Sequence, residues 1–217
     1  MKITLIGATG FVGQTLLKEL AERNHQVKAI ARNTDKITID ASNVNKVSLD
    51  VNDTEKLADE LKEQDIVISA FNPGWNNPNL YDDYLKGAAS IEKAAENSGA
   101  KRLLVIGGAG TMKIDGNYIV DGKDFPKEIY PGASAVRKYF VEDLSKNEKL
   151  DWTFFSPAIE MHPGITTGRT GKYRLGSDSP VFNEENRSML SVEDLAVAIA
   201  DEAENANFIK KQFTAAY

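Results

Sequence analysis

Apolar residues along the chain alternate between two patterns. Short dense runs such as Ile3-Thr4-Leu5-Ile6 and Ile66-Val67-Ile68 leave no polar face, which suits strands covered on both sides. Runs of this kind predict strands over 3–6, 25–31, 46–51, 65–70, 102–106 and 152–156, a further strand over 172–175 and a closing one over 208–216. Between them the apolar residues recur at three- and four-residue spacing, as in Val12, Leu16, Leu17 and Leu20, which predicts a helix over 11–22. The same spacing predicts helices carrying Leu57, Ala58 and Leu61, over 80–97 before Gly99, and over 132–147. Ser191-Val192-Glu193-Asp194 opens a last helix in the manner of a capping box.

Strands and helices in alternation predict an α/β fold of the Rossmann type, a doubly wound parallel sheet with helices on both faces. A chain of 217 residues suits a single domain, 1–217, able to bury roughly 70% of its unfolded surface. After position 156 the composition shifts towards Gly, Thr, Ser and Asn, so 157–190 reads as a small C-terminal elaboration on the substrate side. The stretch 112–131 exceeds an ordinary connection and carries turn signals at Asp115-Gly116 and Asp121-Gly122. It is either a lid or a passive surface insertion.

Sheets of this type bind ligands across the carboxyl ends of their strands. The first such end carries Gly7-Ala8-Thr9-Gly10-Phe11-Val12-Gly13. Gly7 allows a sharp exit from the strand, Gly10 lets a pyrophosphate approach backbone N–H groups, and Gly13 lets the helix pack closely on the strand. The helix start adds unpaired N–H groups and a partial positive charge. Gly7, Thr9, Gly10, Phe11, Val12 and Gly13 are therefore expected to hold a dinucleotide.

Arg32 and Asn33 end the second strand, about 20 residues after the glycine turn, where an acidic residue would bind a ribose 2'-hydroxyl and an arginine a 2'-phosphate. One charge-assisted contact contributes about 1.5–3 kcal/mol, a tenfold to hundredfold preference for NADP(H) over NAD(H). The alternative is a solvated surface arginine. Asp50 and Val51 end the third strand, and Asp50 either accepts from an adenine amino group or caps the next turn. Ala70, Phe71 and Asn72, then Gly107 and Gly108, then Ser156, Pro157 and Ile159 stand at the remaining strand ends and complete the expected cofactor set.

Composition narrows the chemistry. With no cysteine the chain has no disulfide, no thiolate zinc site and no thiol nucleophile, and His25 and His162 are too few for a histidine metal site, so no metal is expected. A net charge of −6 without a basic run argues against nucleic acid. No stretch approaches the roughly 20 apolar residues of a membrane span and no leader pattern opens the chain, so a cytoplasmic protein with no membrane partner is expected. The charge pattern gives no signal of oligomeric state.

The glycine motif, Arg32-Asn33, Asp50-Val51 and Gly107-Gly108-Ala109-Gly110 together resemble the atypical short-chain dehydrogenase/reductases of the NmrA-like group. Thr170-Gly171-Lys172-Tyr173-Arg174-Leu175-Gly176, the Ser191–Asp194 helix start and the terminal Gln212-Phe213-Thr214-Ala215-Ala216-Tyr217 resemble the bacterial NADH-flavin reductases. The resemblance implies an NADP(H)-binding Rossmann fold and hydride delivery to a planar acceptor, a flavin serving as substrate rather than as resident cofactor. It also exposes a departure. Most catalytic members carry Tyr-x-x-x-Lys, whereas here Lys138 follows Ser134, with Tyr130 four residues further back. By analogy Lys138 would orient the nicotinamide ribose, the alternative being a solvated helix lysine. His162 would be a proton donor beside the acceptor, the alternative being a structural loop histidine.

The leading expectation is therefore an NADP(H)-dependent oxidoreductase reducing a flavin or related quinonoid small molecule. The second is a regulatory protein that senses NADP(H) without turnover. A third, an epimerase-like enzyme acting on a nucleotide sugar, is disfavoured by the short C-terminal part.

Overall fold

The computed structural model describes all 217 residues. β1 (Lys2–Ile6) lies inside the sheet and pairs in parallel with β2 (Gln26–Ala31) and β4 (Ile66–Ser69). β3 (Val44–Ser48) extends the sheet beyond β2, and β5 (Arg102–Ile106) extends it beyond β4. A hairpin of β6 (Lys113–Ile114) and β7 (Asn117–Tyr118) stands apart. β8 (Asp151–Ser156), β9 (Arg174–Gly176) and β10 (Lys211–Ala216) complete an eight-stranded sheet in the order 3-2-1-4-5-8-10-9, in which only β9 runs antiparallel.

Alternation along each strand divides the core. Ile3, Leu5, Leu104 and Ile106 face a layer built by α1 (Phe11–Glu22) and, late in the chain, α5 (Val192–Asn205). Ile6, Leu103 and Val105 face the other layer, built by α2 (Thr54–Glu60), α3 (Leu80–Ser98) and α4 (Tyr130–Glu142). Both faces are covered, which is why the strands carry unbroken apolar runs. The eight-stranded, mostly parallel sheet with helices on both sides is the Rossmann arrangement that the pattern predicts.

Several boundaries differ from expectation for local reasons. The third strand runs over Val44–Ser48 rather than 46–51, because the Asp50 carboxylate accepts the Asn52 N–H at 2.9 Å and turns the chain there. α4 begins at Tyr130, ahead of the expected 132, since Pro131 in a first turn gives up no needed hydrogen bond. It ends at Glu142, with a separate turn over Leu144–Lys146. The last strand begins at Lys211, after Ala206 and Lys210 adopt left-handed backbone conformations. Within 112–131, Asp115 and Gly116 take φ of 50° and 82° at the tip of the hairpin, while Met112 and Val120 are buried. This segment is anchored by its own side chains. No helix is long and apolar enough to cross a membrane.

Candidate dinucleotide-binding site

The cradle is set by what its glycines exclude. Gly7 leaves β1 at φ +83°, and a Cβ there would lie 2.4 Å from the Ala70 carbonyl oxygen. A Cβ at Gly13 would lie 2.1 Å from the Gly7 carbonyl oxygen, so α1 can sit this close to the turn only with glycine at that position. Around Gly10 nothing comes nearer than the Gly7 oxygen at 3.4 Å, leaving the approach to the helix open. Gly10 is the N-cap and supplies no side-chain acceptor, so the amides of Phe11, Val12 and Gly13 have no partner in the protein. Thr9 lines the same opening, with its carbonyl taken by the Gln14 side chain at 2.8 Å.

A cleft of about 400 Å³ runs from Gly7 and Thr9 across the ends of β2 and β3 to Phe71 and Asn72. Arg32 and Lys36 both line it. Arg23, Arg102, Arg137, Arg169, Arg174 and Arg187 each donate to acceptors within the protein, and Arg32 is the one arginine whose guanidinium does not. Lys36 reaches the cleft because Asn33 accepts the Asp35 N–H at 2.9 Å and caps a single turn over Thr34–Lys36. The Asn33 side chain is thus committed to that turn. The sequence signal for Lys36 was the Asn33 cap, which the strand-end rule does not consult. Asp50 lines the cleft with Val51, one carboxylate oxygen holding both the N–H and the side-chain amide of Asn52. Of its two readings, the capping one is visible directly.

The other half of the crevice lies at the ends of β4, β5 and β8. Ala70 closes against Gly7, and Phe71 stacks on Tyr84 with ring centroids 6.1 Å apart. Gly107 lies against Phe154, whose ring a Cβ would meet at 2.1 Å, and Gly108 begins the turn whose carbonyl receives the Thr111 hydroxyl at 2.7 Å. Ser156 is buried in a polar cluster, 2.7 Å from the Thr111 hydroxyl and 2.8 Å from the Gln212 amide that donates to it. Its hydroxyl is committed there, while Pro157 and the exposed Ile159 carry the chain out along the edge.

Unpartnered amides at a helix start, open space above Gly10 and two free cations in the same cleft fit a dinucleotide with its phosphates. Residues 7–205 match the NAD(P)H-binding family. The chain belongs to this family. YwnB of Bacillus subtilis, itself uncharacterized, is 36% identical over 217 residues, covering 99% of this chain and 97% of its own. A candidate epimerase from Bacteroides thetaiotaomicron superposes with a TM-score of 0.92 at 38% identity, covering 100% of this chain and 96% of its own. A candidate NADH-flavin reductase from Streptococcus pneumoniae superposes with a TM-score of 0.87 at 31% identity, covering 100% and 99%.

The two catalytic candidates fall in different places. Lys138 does not line the nucleotide cleft. It sits two turns into α4, ion-paired with Glu142, in a separate groove with Tyr81, Tyr130 and Ser134. That pairing holds the Lys138 ammonium charged and the Glu142 carboxyl below its usual range. Ser134, at the position of the usual tyrosine, donates to the Pro131 carbonyl at 3.1 Å. His162 is exposed on the loop after β8, with Nδ1 accepting the Gly164 N–H at 3.1 Å.

The C-terminal strings that carry the reductase resemblance meet one another instead of the cleft. Asp194, fully buried in the first turn of α5, accepts the N–H groups of Thr170 and Gly171 and the hydroxyls of Thr170 and Tyr217. Ser191 caps the helix by accepting the Asp194 N–H at 3.1 Å, but Asp194 does not return to the Ser191 N–H as a capping box would. The Tyr217 hydroxyl takes that amide, at 3.3 Å. Arg169 adds a two-pronged ion pair to the buried Glu19 of α1. Residues 169–173 therefore form a strap over α1 and α5 that leads into β9.

Proposed function

We propose that this protein is an NADP(H)-dependent reductase that passes hydride to a flavin or related quinonoid small molecule. The observation that supports the cofactor half is Arg32, the one arginine without a protein acceptor, which lines the cleft together with Lys36 and could pair with a 2'-phosphate. The amides of Phe11, Val12 and Gly13 would hold the pyrophosphate, and Asp50 would face the adenosine with its unshared oxygen. A bound NADPH would supply hydride chemistry to the acceptor ring, with the matching proton drawn from solvent. The acceptor half is supported by the lack of a tyrosine–lysine proton donor: Ser134 and Lys138 are both engaged elsewhere, and a conjugated ring accepts hydride without one. The name of the Streptococcus pneumoniae relative points to the same acceptor class.

Binding isotherms for NADPH, NADP⁺, NADH and NAD⁺ test the cofactor. NADPH is expected to bind at least tenfold more tightly than NADH, and equal affinities would sink the assignment. Stopped-flow oxidation of NADPH with FMN, FAD and simple quinones tests the acceptor. The engagement of Lys138 by Glu142 favours a second reading, a protein that senses NADP(H) without turnover; failure to oxidise NADPH with any of these acceptors would establish that reading over the first.

A further inference from the structure

The two halves of the crevice differ in chemistry. At the ends of β2 and β3 the cleft is lined by Arg32, Lys36 and Asp50, whereas the segments that leave β4 and β8 expose two large apolar side chains, Trp75 and Ile159. Trp75 is the most exposed of all the large apolar side chains, at 60%, while the chain's other tryptophan, Trp152, is buried against Phe140. An indole this exposed leaves most of its apolar area in water.

The placement is also built. Gly74 adopts φ +115°, a conformation that side-chain-bearing residues avoid, and its N–H is held by the Asn72 side chain at 2.7 Å while its carbonyl accepts the Asn77 N–H at 3.0 Å. These bonds bracket Trp75 and fix the turn that carries it from the cleft wall at Asn72 to the start of α3. One edge of the indole rests on Gly132 in the first turn of α4, where a Cβ would come within 3.0 Å of both Trp75 and Leu80. The rest of the ring is exposed.

α3 follows β4, and α4 follows β5 after the hairpin, so the gap between their first turns lies at the carboxyl edge of the sheet, the edge across which sheets of this type bind ligands. We propose that Trp75 is the specificity-determining residue for the acceptor, its free indole face stacking on a planar conjugated ring delivered to that gap. The inference rests on the reductase reading for the acceptor's role and adds the residue that selects its shape. Stacking on tryptophan needs neither a charge nor a proton donor, in keeping with a crevice whose only free cations lie at its other end.

The test uses the full chain saturated with NADP⁺, titrated with FMN and separately with menadione, following tryptophan emission and flavin or quinone absorbance. Wild type, Trp75→Phe and Trp75→Ala are compared, with NADPH affinity measured in parallel. Trp75→Ala is expected to weaken both acceptors about tenfold and to raise their KM by a similar factor, with kcat within about twofold and NADPH affinity unchanged. Trp75→Phe should recover most of the loss. Unchanged acceptor binding in Trp75→Ala would overturn the proposal, as would an equal loss of NADPH affinity, which would assign the indole to the nucleotide. If neither acceptor oxidises NADPH the reductase reading fails by itself, and the equilibrium titrations still decide: binding that depends on Trp75 upholds the stacking site, and no binding overturns it.

Discussion

Asp194 holds Thr170 twice, through its N–H at 2.9 Å and its hydroxyl at 2.6 Å, and so closes the strap over α1 and α5 from a fully buried position. Replacing it with alanine strands the amides of Thr170 and Gly171 together. Asp194→Ala is expected to destabilise the fold by about 3 kcal/mol, seen as a lower urea midpoint at constant m-value. NADPH affinity of the folded fraction should be unchanged, because the strap lies away from the cradle.

Gly13→Ala attacks the cradle directly. The new Cβ would meet the Gly7 carbonyl oxygen at 2.1 Å, and backbone cannot yield as a flexible side chain would. The expected result is a loss of at least tenfold in NADPH affinity and a lower thermal midpoint, both measurable by isothermal titration and calorimetry. Gly10→Ala provides the contrast: its Cβ finds 3.4 Å of clearance, so it should leave stability nearly intact and act on phosphate binding alone.

Lys36 is expected to share the 2'-phosphate with Arg32. Lys36→Ala should weaken NADPH roughly threefold to tenfold and leave NADH within twofold, and the preference should fall as salt rises, since both cations are solvent-exposed. An Arg32→Ala, Lys36→Ala double variant should bind the two cofactors about equally. Retained NADPH preference in that variant would place the 2'-phosphate elsewhere.

Acid stability should report on Glu19. The Arg169 guanidinium, with Arg23 assisting, holds this carboxyl below its ordinary value of 4.5 against the opposing effect of burial. A carboxyl depressed on folding contributes stability that is complete above its unfolded value and disappears as the pH falls through its lower folded value. Urea midpoints should thus drop below about pH 4.5, and Arg169→Gln should lower the midpoint at neutral pH while flattening the acid limb. An identical acid limb in both proteins would show that Glu19 is not held this way.

The sheet and the phosphate turn were legible because each depends on local pattern. Unbroken apolar runs identify strands covered on both faces, and the spacing of Gly7, Gly10 and Gly13 is dictated by contacts within a few residues of one another. Arg32 was legible for the same reason, standing at a fixed distance from that turn. Lys36 was not, since it reaches the cleft through a capped turn that strand-end counting passes over. Lys138 was read by analogy with a helix position, and only tertiary packing reveals that α4 points it into another groove, towards Glu142. The strings at 170–176, 191–194 and 212–217 carry the reductase resemblance, and their hydrogen bonds run to one another through Asp194. Distinctive sequence there encodes a long-range structural clasp, which no local rule separates from a binding site.

The contact between Gly7 and the Ala70 carbonyl ties the turn that would grip phosphate to the turn that carries Trp75, five residues further on. On the proposed reading, cofactor grip and acceptor choice would then not be independent modules. An attempt to change the acceptor by grafting a different 71–77 loop would alter the seat of the pyrophosphate at the same stroke, unless the first backbone atoms after β4 were kept in place. Substitution at position 75 alone leaves that junction untouched, and is the route by which the acceptor could be exchanged without loosening the dinucleotide.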